Sequence, residues 1–502
     1  MFGSPLRWKA IARELSSVVS LQRAAFDRGA FGVGSKYQTN SLANARSTWS
    51  FTRQCRSYSA LSHPQTSASS VVNAATRRST RFDPRFFSSN ANATQDMSQL
   101  PVLSSPGVGR WLLGSAGLVF GVIVVGGVTR LTESGLSITE WKPITGIMPP
   151  FSQEEWMTEF EKYKATPEFK LLNHSMNLEE FKKIFYMEWG HRILGRIIGV
   201  AFVAPLAYFA VRKKLTATLP KHLTGMALLL GFQGALGWYM VKSGLEDSLM
   251  DSPNAVPRVS QYRLAAHLGT AFLLYAGMFG TGLSVLYDWR FANKGTWSGM
   301  ADGAAYEKVL ANPSVKTFSR RSKALTALVF VTALSGAFVA GLDAGLLYNE
   351  FPLMGGRLSP PSDELFDPAY AKQEDKSDLW WRNILENPIT VQFNHRCLAI
   401  TTYVSTGLLF ASSLNPVMKA ALPPMTKAMA KSAFLMANLQ VALGISTLLY
   451  LVPIPLAALH QAGSVALLTT MIHLLLSLRR PAAAARLWRQ ANLTKAAGRT
   501  RA

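Results

Sequence analysis

Beyond residue 105 the chain is a succession of long apolar runs separated by polar segments, with no period-two alternation of the kind that marks strands. Eight runs stand out, at about 111–128, 190–211, 223–241, 264–287, 324–342, 395–414, 432–452 and 454–478. Each is roughly 18–25 residues long, the length a helix needs to cross a bilayer core. A soluble protein can bury one or two such helices, but eight in one chain predict an all-α polytopic membrane protein. Two polar interruptions are long, 130–190 and 343–392, and most of the others are short.

The runs repeat. GGVTRLTESGLSITEW from Gly126 aligns with GAFVAGLDAGLLYNEF from Gly336, pairing Glu133 with Asp343, Glu140 with Glu350 and Trp141 with Phe351. EWGHR aligns with QFNHR, pairing Glu188 with Gln392, His191 with His395 and Arg192 with Arg396. FQGALG from Phe232 meets LQVALG from Leu439, and His267 in LAAHLG meets His460 in LAALHQ with a one-residue slip. Four spans per repeat give both units the same topology, so the expected architecture is two tandem four-helix bundles related by a pseudo-two-fold axis near the membrane normal. The expected boundaries are 106–290 for the first bundle, 291–323 for a linker, 324–480 for the second bundle and 481–502 for a basic tail.

Charge changes the picture at the ends. The formal net charge is +23 although only 16% of residues are charged. Thirteen Lys and Arg fall within residues 1–95 against Glu14, Asp27 and Asp83, in a segment rich in Ser and Ala without a long apolar run. This composition predicts a mitochondrial transit peptide and basic linker over 1–95, with processing before Ser59 or Ser88; a disordered nucleic-acid-binding tail is the competing reading of the same charge. The loops at 212–222 and 415–431 and the tail after Leu478 are basic and free of acids, whereas the two long loops are acid-rich. Basic residues mark the side from which a chain is inserted, so both termini are expected in the matrix of a multi-pass inner-membrane protein. Of the two cysteines, Cys55 lies in the presequence and Cys397 in an apolar run, which excludes an internal disulfide or a thiolate zinc site in the mature chain.

Eight histidines remain to be sorted. His63, His174 and His222 lie in polar or basic segments, and His473 lies in the last span with no partner in the first repeat, as a packing or capping residue would. His191, His267, His395 and His460 are each expected within the first turn or two of an even-numbered span, all near the same face of the membrane. Ionisable groups at that depth are costly and mark function. Spans two and four of a bundle run in the same direction, so His191 can face His267 and His395 can face His460. Paired imidazoles without thiolates or clustered carboxylates suit heme iron better than zinc or a di-iron centre. Arg192 and Arg396 follow a ligand candidate directly; guanidinium groups there would suit heme propionates or snorkel to lipid headgroups. Glu188 lies on the face of His191 and is replaced by Gln392 in the second unit, which suggests one reactive bundle and one that only holds a redox cofactor; Glu188 could equally pair with Arg192 four residues on.

The stretches GGVTRLTESGLSITEWKPITGIMPP, EWGHRILGR, QGALGWYMVKSGL, RLAAHL and FNHRCLA resemble heme A synthase in its mitochondrial branch, over about Arg110 to Leu478. The resemblance implies oxidation of the C8 methyl of heme O to the formyl of heme A for cytochrome c oxidase assembly. It also implies that His191 and His267 ligate substrate heme O, that His395 and His460 ligate a heme b cofactor, and that Glu188 is catalytic. Implied partners are heme O synthase, an electron-transfer partner such as ferredoxin, cytochrome c oxidase assembly factors and the bilayer; no nucleic acid is implied, and a homo-oligomer is left open. Many bacterial members carry a cysteine pair in the first long loop, and the 130–190 loop here has none. Two other classes use the same histidines: a bis-histidine b-type cytochrome passing electrons from quinol, and a heme carrier that leaves the porphyrin unchanged.

Overall fold

The computed structural model describes residues 99–142, 146–246 and 258–499. The transit-peptide expectation for 1–95 lies outside the described residues. All described residues belong to one unit, 89–502, and among them there is no strand, only isolated bridges at Trp297–Met300 and Met354–Arg357.

Among the described residues, eight helices are long and apolar enough to span a membrane: α1 (Pro106–Leu131), α2 (Leu178–Val211), α3 (Leu219–Gly244), α4 (Gln261–Lys294), α5 (Pro313–Gly341), α6 (Pro388–Leu414), α7 (Pro424–Leu449) and α8 (Ile454–Ser477). Their starts obey local chemistry. α2 opens on a capping box in which Asn177 and Glu180 bond each other's backbone N–H, and α6 opens on Asn387, which accepts from the N–H of Ile389 ahead of Pro388 in the first turn. α4 stops at Gly295, whose φ of 69° is the left-handed conformation that glycine reaches without a Cβ clash.

These starts revise several expected boundaries. α2, α5, α6 and α7 begin 12, 11, 7 and 8 residues earlier than their apolar runs at 190, 324, 395 and 432. Hydropathy marks only the part of a helix that suits lipid, whereas caps mark where the hydrogen-bond ladder starts. The early part of α2 is amphipathic: Phe181 and Phe185 pack with Trp156, Phe160 and Tyr163 of a loop helix, Gln153–Lys164, itself started by a Ser152/Glu155 capping box. The basic tail also folds, as helix Ala483–Arg499, and is held against α4 by Asn492 donating to the Ala292 carbonyl at 3.0 Å.

Helix contacts run α1–α2, α2–α3, α3–α4 and α4–α1, and again α5–α6, α6–α7, α7–α8 and α8–α5. The two sets meet through α4–α5, α4–α8 and α1–α8. One apolar core passes through all eight helices, with Ala116, Phe202, Leu223, Phe272, Val329 and Met471 fully or nearly fully buried. Between helices in lipid, close packing and polar contacts do the work that water-driven burial does elsewhere. Tyr275 of α4 and Thr469 of α8 share a hydrogen bond of 2.6 Å, and Gln461 of α8 donates to the Ile123 carbonyl of α1 at 3.1 Å where Gly127 leaves room for it.

Candidate functional site

The ring of contacts places α2 and α4 at opposite corners, and likewise α6 and α8. His191 (α2) and His267 (α4) are close enough to interact electrostatically, and so are His395 (α6) and His460 (α8). His267, His395 and His460 lie in the first two turns or just past them, as expected. His191 instead lies thirteen residues into its helix, about 20 Å along the axis, because the capping box starts α2 out in the loop region.

Each imidazole lies against a glycine of a neighbouring helix. A Cβ at Gly126 (α1) would come within 2.9 Å of His191 Cε1, one at Gly237 (α3) within 3.6 Å of His267 Cε1, one at Gly336 (α5) within 3.3 Å of His395 Cε1, and one at Gly444 (α7) within 2.8 Å of His460 Cε1. The missing side chains let the rings lie flush on the adjacent backbone. Behind the rings, Gln233 donates to the His267 carbonyl at 3.3 Å and Gln440 to the His460 carbonyl at 2.9 Å. Ser335 meets His395 Nδ1 at 2.7 Å, whereas Nδ1 of His191, His267 and His460 is buried without a partner.

The residue types fit heme. Among the described residues no group of three or more His, Cys, Asp or Glu side chains could hold a metal ion, so each pair lacks the third and fourth protein ligands that a structural zinc needs. Two imidazoles are the full axial complement of a porphyrin iron, whose other four ligands are its own nitrogens. At His191, His267 and His460 the buried Nδ1 has no protein partner, so no hydrogen bond from the protein fixes which ring nitrogen carries the proton.

Glu188 is 3% exposed, and both its oxygens are engaged. Oε1 accepts from Arg192 at 2.6 and 3.1 Å; Oε2 accepts from the Ser137 hydroxyl at 2.6 Å and the Ile138 N–H at 2.9 Å. Arg192 further donates to the carbonyls of Ile138 at 2.8 Å and Glu140 at 3.0 Å. The loop after α1 is thus strapped to α2 beside His191. The loop after α5 is strapped to α6 in the matching way: Arg396 donates to the carbonyls of Tyr348 at 2.7 Å and Leu353 at 3.0 Å, and Gln392 donates to Tyr348 at 3.3 Å. Gln392 Oε1 and Arg396 Nε are left buried and unpartnered. The Glu/Gln difference seen in the repeat therefore leaves one strap closed by a buried carboxylate paired with Arg192, while in the other Arg396 has only a neutral amide and carbonyl oxygens beside it.

Of the remaining histidines, His63 lies outside the described residues and the other three sit where expected. His174 and His222 are exposed, and His473 hydrogen-bonds the hydroxyl of Tyr287 on α4. Sequence reasoning did not single out Gly126, Gly237, Gly336, Gly444, Gln233, Gln440, Ser137 or Ser335. Seven of the eight, all but Ser335, are in the repeated motifs, and the recurrence of Gly126 with Gly336, Gln233 with Gln440 and Gly237 with Gly444 at matching registers was the available signal.

The family model described as "Cytochrome oxidase assembly protein", COX15-CtaA, matches residues 109–472. The chain is 51% identical over 382 residues to "Heme A synthase COX15" of Saccharomyces cerevisiae, covering 76% of this chain and 77% of that protein. It is 46% identical to the protein of the same name from Homo sapiens, covering 74% and 83%. It is 48% identical to "Heme A synthase-mitochondrial ferredoxin fusion protein" of Schizosaccharomyces pombe, covering 76% of this chain and 61% of that one.

Proposed function

Because the chain belongs to the COX15-CtaA family of cytochrome oxidase assembly proteins, we propose how its residues divide the labour of a heme A synthase. The protein is an oxidoreductase of a mitochondrial membrane that converts a methyl group of heme O to give heme A for cytochrome oxidase, and it works with an electron-transfer partner. Our reading makes the oxidised group the C8 methyl, the product group a formyl and the membrane the inner one. The units 106–290 and 324–480 act as two four-helix bundles related by pseudo-two-fold symmetry, joined by a matrix linker at 291–323, with the tail from 481 also in the matrix.

His191 and His267 hold the iron of substrate heme O, and His395 and His460 hold a heme b cofactor. The observation that carries this division is the pairing of four half-buried imidazoles, each seated on a glycine of the adjacent helix. When bound, heme b would supply one-electron redox chemistry. Glu188, held in place by its four hydrogen bonds, sets its carboxyl group beside the substrate pair, where it stabilises positive charge developing at the macrocycle edge. Arg192 and Arg396 lie at the level of the straps, and their guanidinium groups suit propionates at the same edge. Ferredoxin as electron donor is supported by the fused relative; heme O synthase and cytochrome c oxidase assembly factors are proposed neighbours, and a homo-oligomer is compatible with this division. Both termini face the matrix, following the basic loops.

Absorbance spectra and heme extracts of purified His→Ala variants test the division. His395→Ala and His460→Ala should lose the stably bound heme b, whereas His191→Ala and His267→Ala should keep most of it and accumulate heme O. Equal loss of one b-type signal in all four would overturn the two-site assignment.

A further inference from the structure

The loop between α1 and α2 contains a carboxyl group with no structural use. Glu168, on the short helix Pro167–Leu171, is 3% exposed, and its Oε2 is buried with no hydrogen-bond partner. An unpaired buried carboxylate is strongly disfavoured, so a group in this position holds a proton. Its charged neighbours come from three elements: Glu133 in the turn after α1, Glu188 on α2 beside the substrate pair, and Arg130 near the end of α1. The Tyr163 ring, completely buried in the same loop layer, adds a hydroxyl within electrostatic reach, which accepts from Asn173 at 2.8 Å.

Burial, and after it the negative charges of Glu133 and Glu188, push the Glu168 carboxyl up to about 8 against the smaller opposing pull of Arg130. Glu168 therefore carries its proton at neutral pH yet can release it under mildly alkaline conditions. Neighbouring carboxylates differ in kind: Glu188 is fixed by four donors, while Glu168 has a buried, unengaged oxygen and directly precedes Phe169, which packs on the aromatic layer of Trp156, Phe160, Tyr163, Phe181 and Phe185.

Oxidising a methyl group at membrane depth moves protons between the site and water, inward or outward according to the oxygen donor. From the isolation of its carboxyl beside Glu188, we propose that Glu168 is a proton-relay residue joining the substrate site to the aqueous side at the loop-bearing end. For each proton passed, the protonated carboxyl gives up its proton to one side and regains one from the other, so the group ends as it began and takes no part in electron transfer. This inference rests on the substrate assignment to the His191/His267 pair.

The test uses the full-length protein in lipid nanodiscs with its heme bound. First, infrared spectra should show a protonated carboxyl band that titrates near pH 8 and is missing in Glu168→Gln; this readout does not depend on activity. Second, conversion of heme O to heme A is followed against pH. Gln is neutral and of the same shape as the protonated acid, so a merely structural Glu168 predicts an unchanged rate and profile. A relay predicts a fall of roughly 100-fold, typical for removal of a proton-transfer group, loss of the limb near pH 8, and partial rescue with a displaced limb in Glu168→Asp. An unchanged Glu168→Gln profile, or absence of the titrating band, overturns the relay. Should Glu168→Gln fail to assemble, the limb of Glu168→Asp decides: a displaced limb supports the relay, and a wild-type profile overturns it. A wild-type protein that makes no heme A overturns the parent reading instead, whatever the infrared titration gives.

Discussion

Adding one methyl group at Gly444 tests whether the glycine seats set the histidine positions. The new Cβ would lie 2.8 Å from His460 Cε1, whereas carbon atoms pack best at about 3.5–4.0 Å. The ring must therefore retreat by roughly 0.7 Å, beyond the ~0.5 Å to which a binding constellation has to be held. Overpacking of this kind costs about 1–3 kcal/mol, which corresponds to roughly 5- to 150-fold weaker retention of the heme at that site. Gly336, across the same pair, gives 3.3 Å to His395, so its ring need yield only ~0.2 Å and Gly336→Ala should be mild. At the other pair Gly126→Ala, at 2.9 Å, should be severe and Gly237→Ala, at 3.6 Å, nearly silent. Gly195→Ala is the control, since nothing lies within 4 Å of its added Cβ. The assay is the ratio of heme b to polypeptide in purified protein for the 444 and 336 variants, and the ratio of heme A to heme O in extracts for the 126 and 237 variants. A Gly444→Ala protein with full heme b beside a depleted Gly336→Ala protein would refute the reasoning.

Glu188→Gln should fold and keep its heme b spectrum while heme A falls by roughly 100-fold and heme O or a partly oxidised intermediate accumulates; an unchanged heme A to heme O ratio would reduce Glu188 to a strap for Arg192. A carboxy-terminal tag should resist protease added to intact mitoplasts and be lost only when the membrane is opened, because the basic loops and tail face the matrix; removal from outside would reverse the orientation.

Sequence by itself determined the eight spans and singled out the self-similar motifs and His191, His267, His395 and His460 as candidates, for one physical reason: lipid imposes a long apolar run on every crossing and leaves each ionisable residue within it conspicuous. It did not determine where the helices begin, because caps such as Asn177 and a side packed on aromatic residues extend α2 far outside the apolar run. The Glu188/Gln392 difference was legible, but not that four donors would clamp Glu188, since Ser137 and the Ile138 N–H come from a loop whose fold no periodicity encodes. The seats of the rings were likewise a tertiary decision. Glycines are common in membrane helices, and only the approach of α1 to α2, α3 to α4, α5 to α6 and α7 to α8 makes Gly126, Gly237, Gly336 and Gly444 the surfaces on which the imidazoles lie. Glu168 is the extreme case. In the sequence it is one acid in an acid-rich loop, and it becomes a proton-holding group only because folding removes its water and brings Glu133 and Glu188 near it.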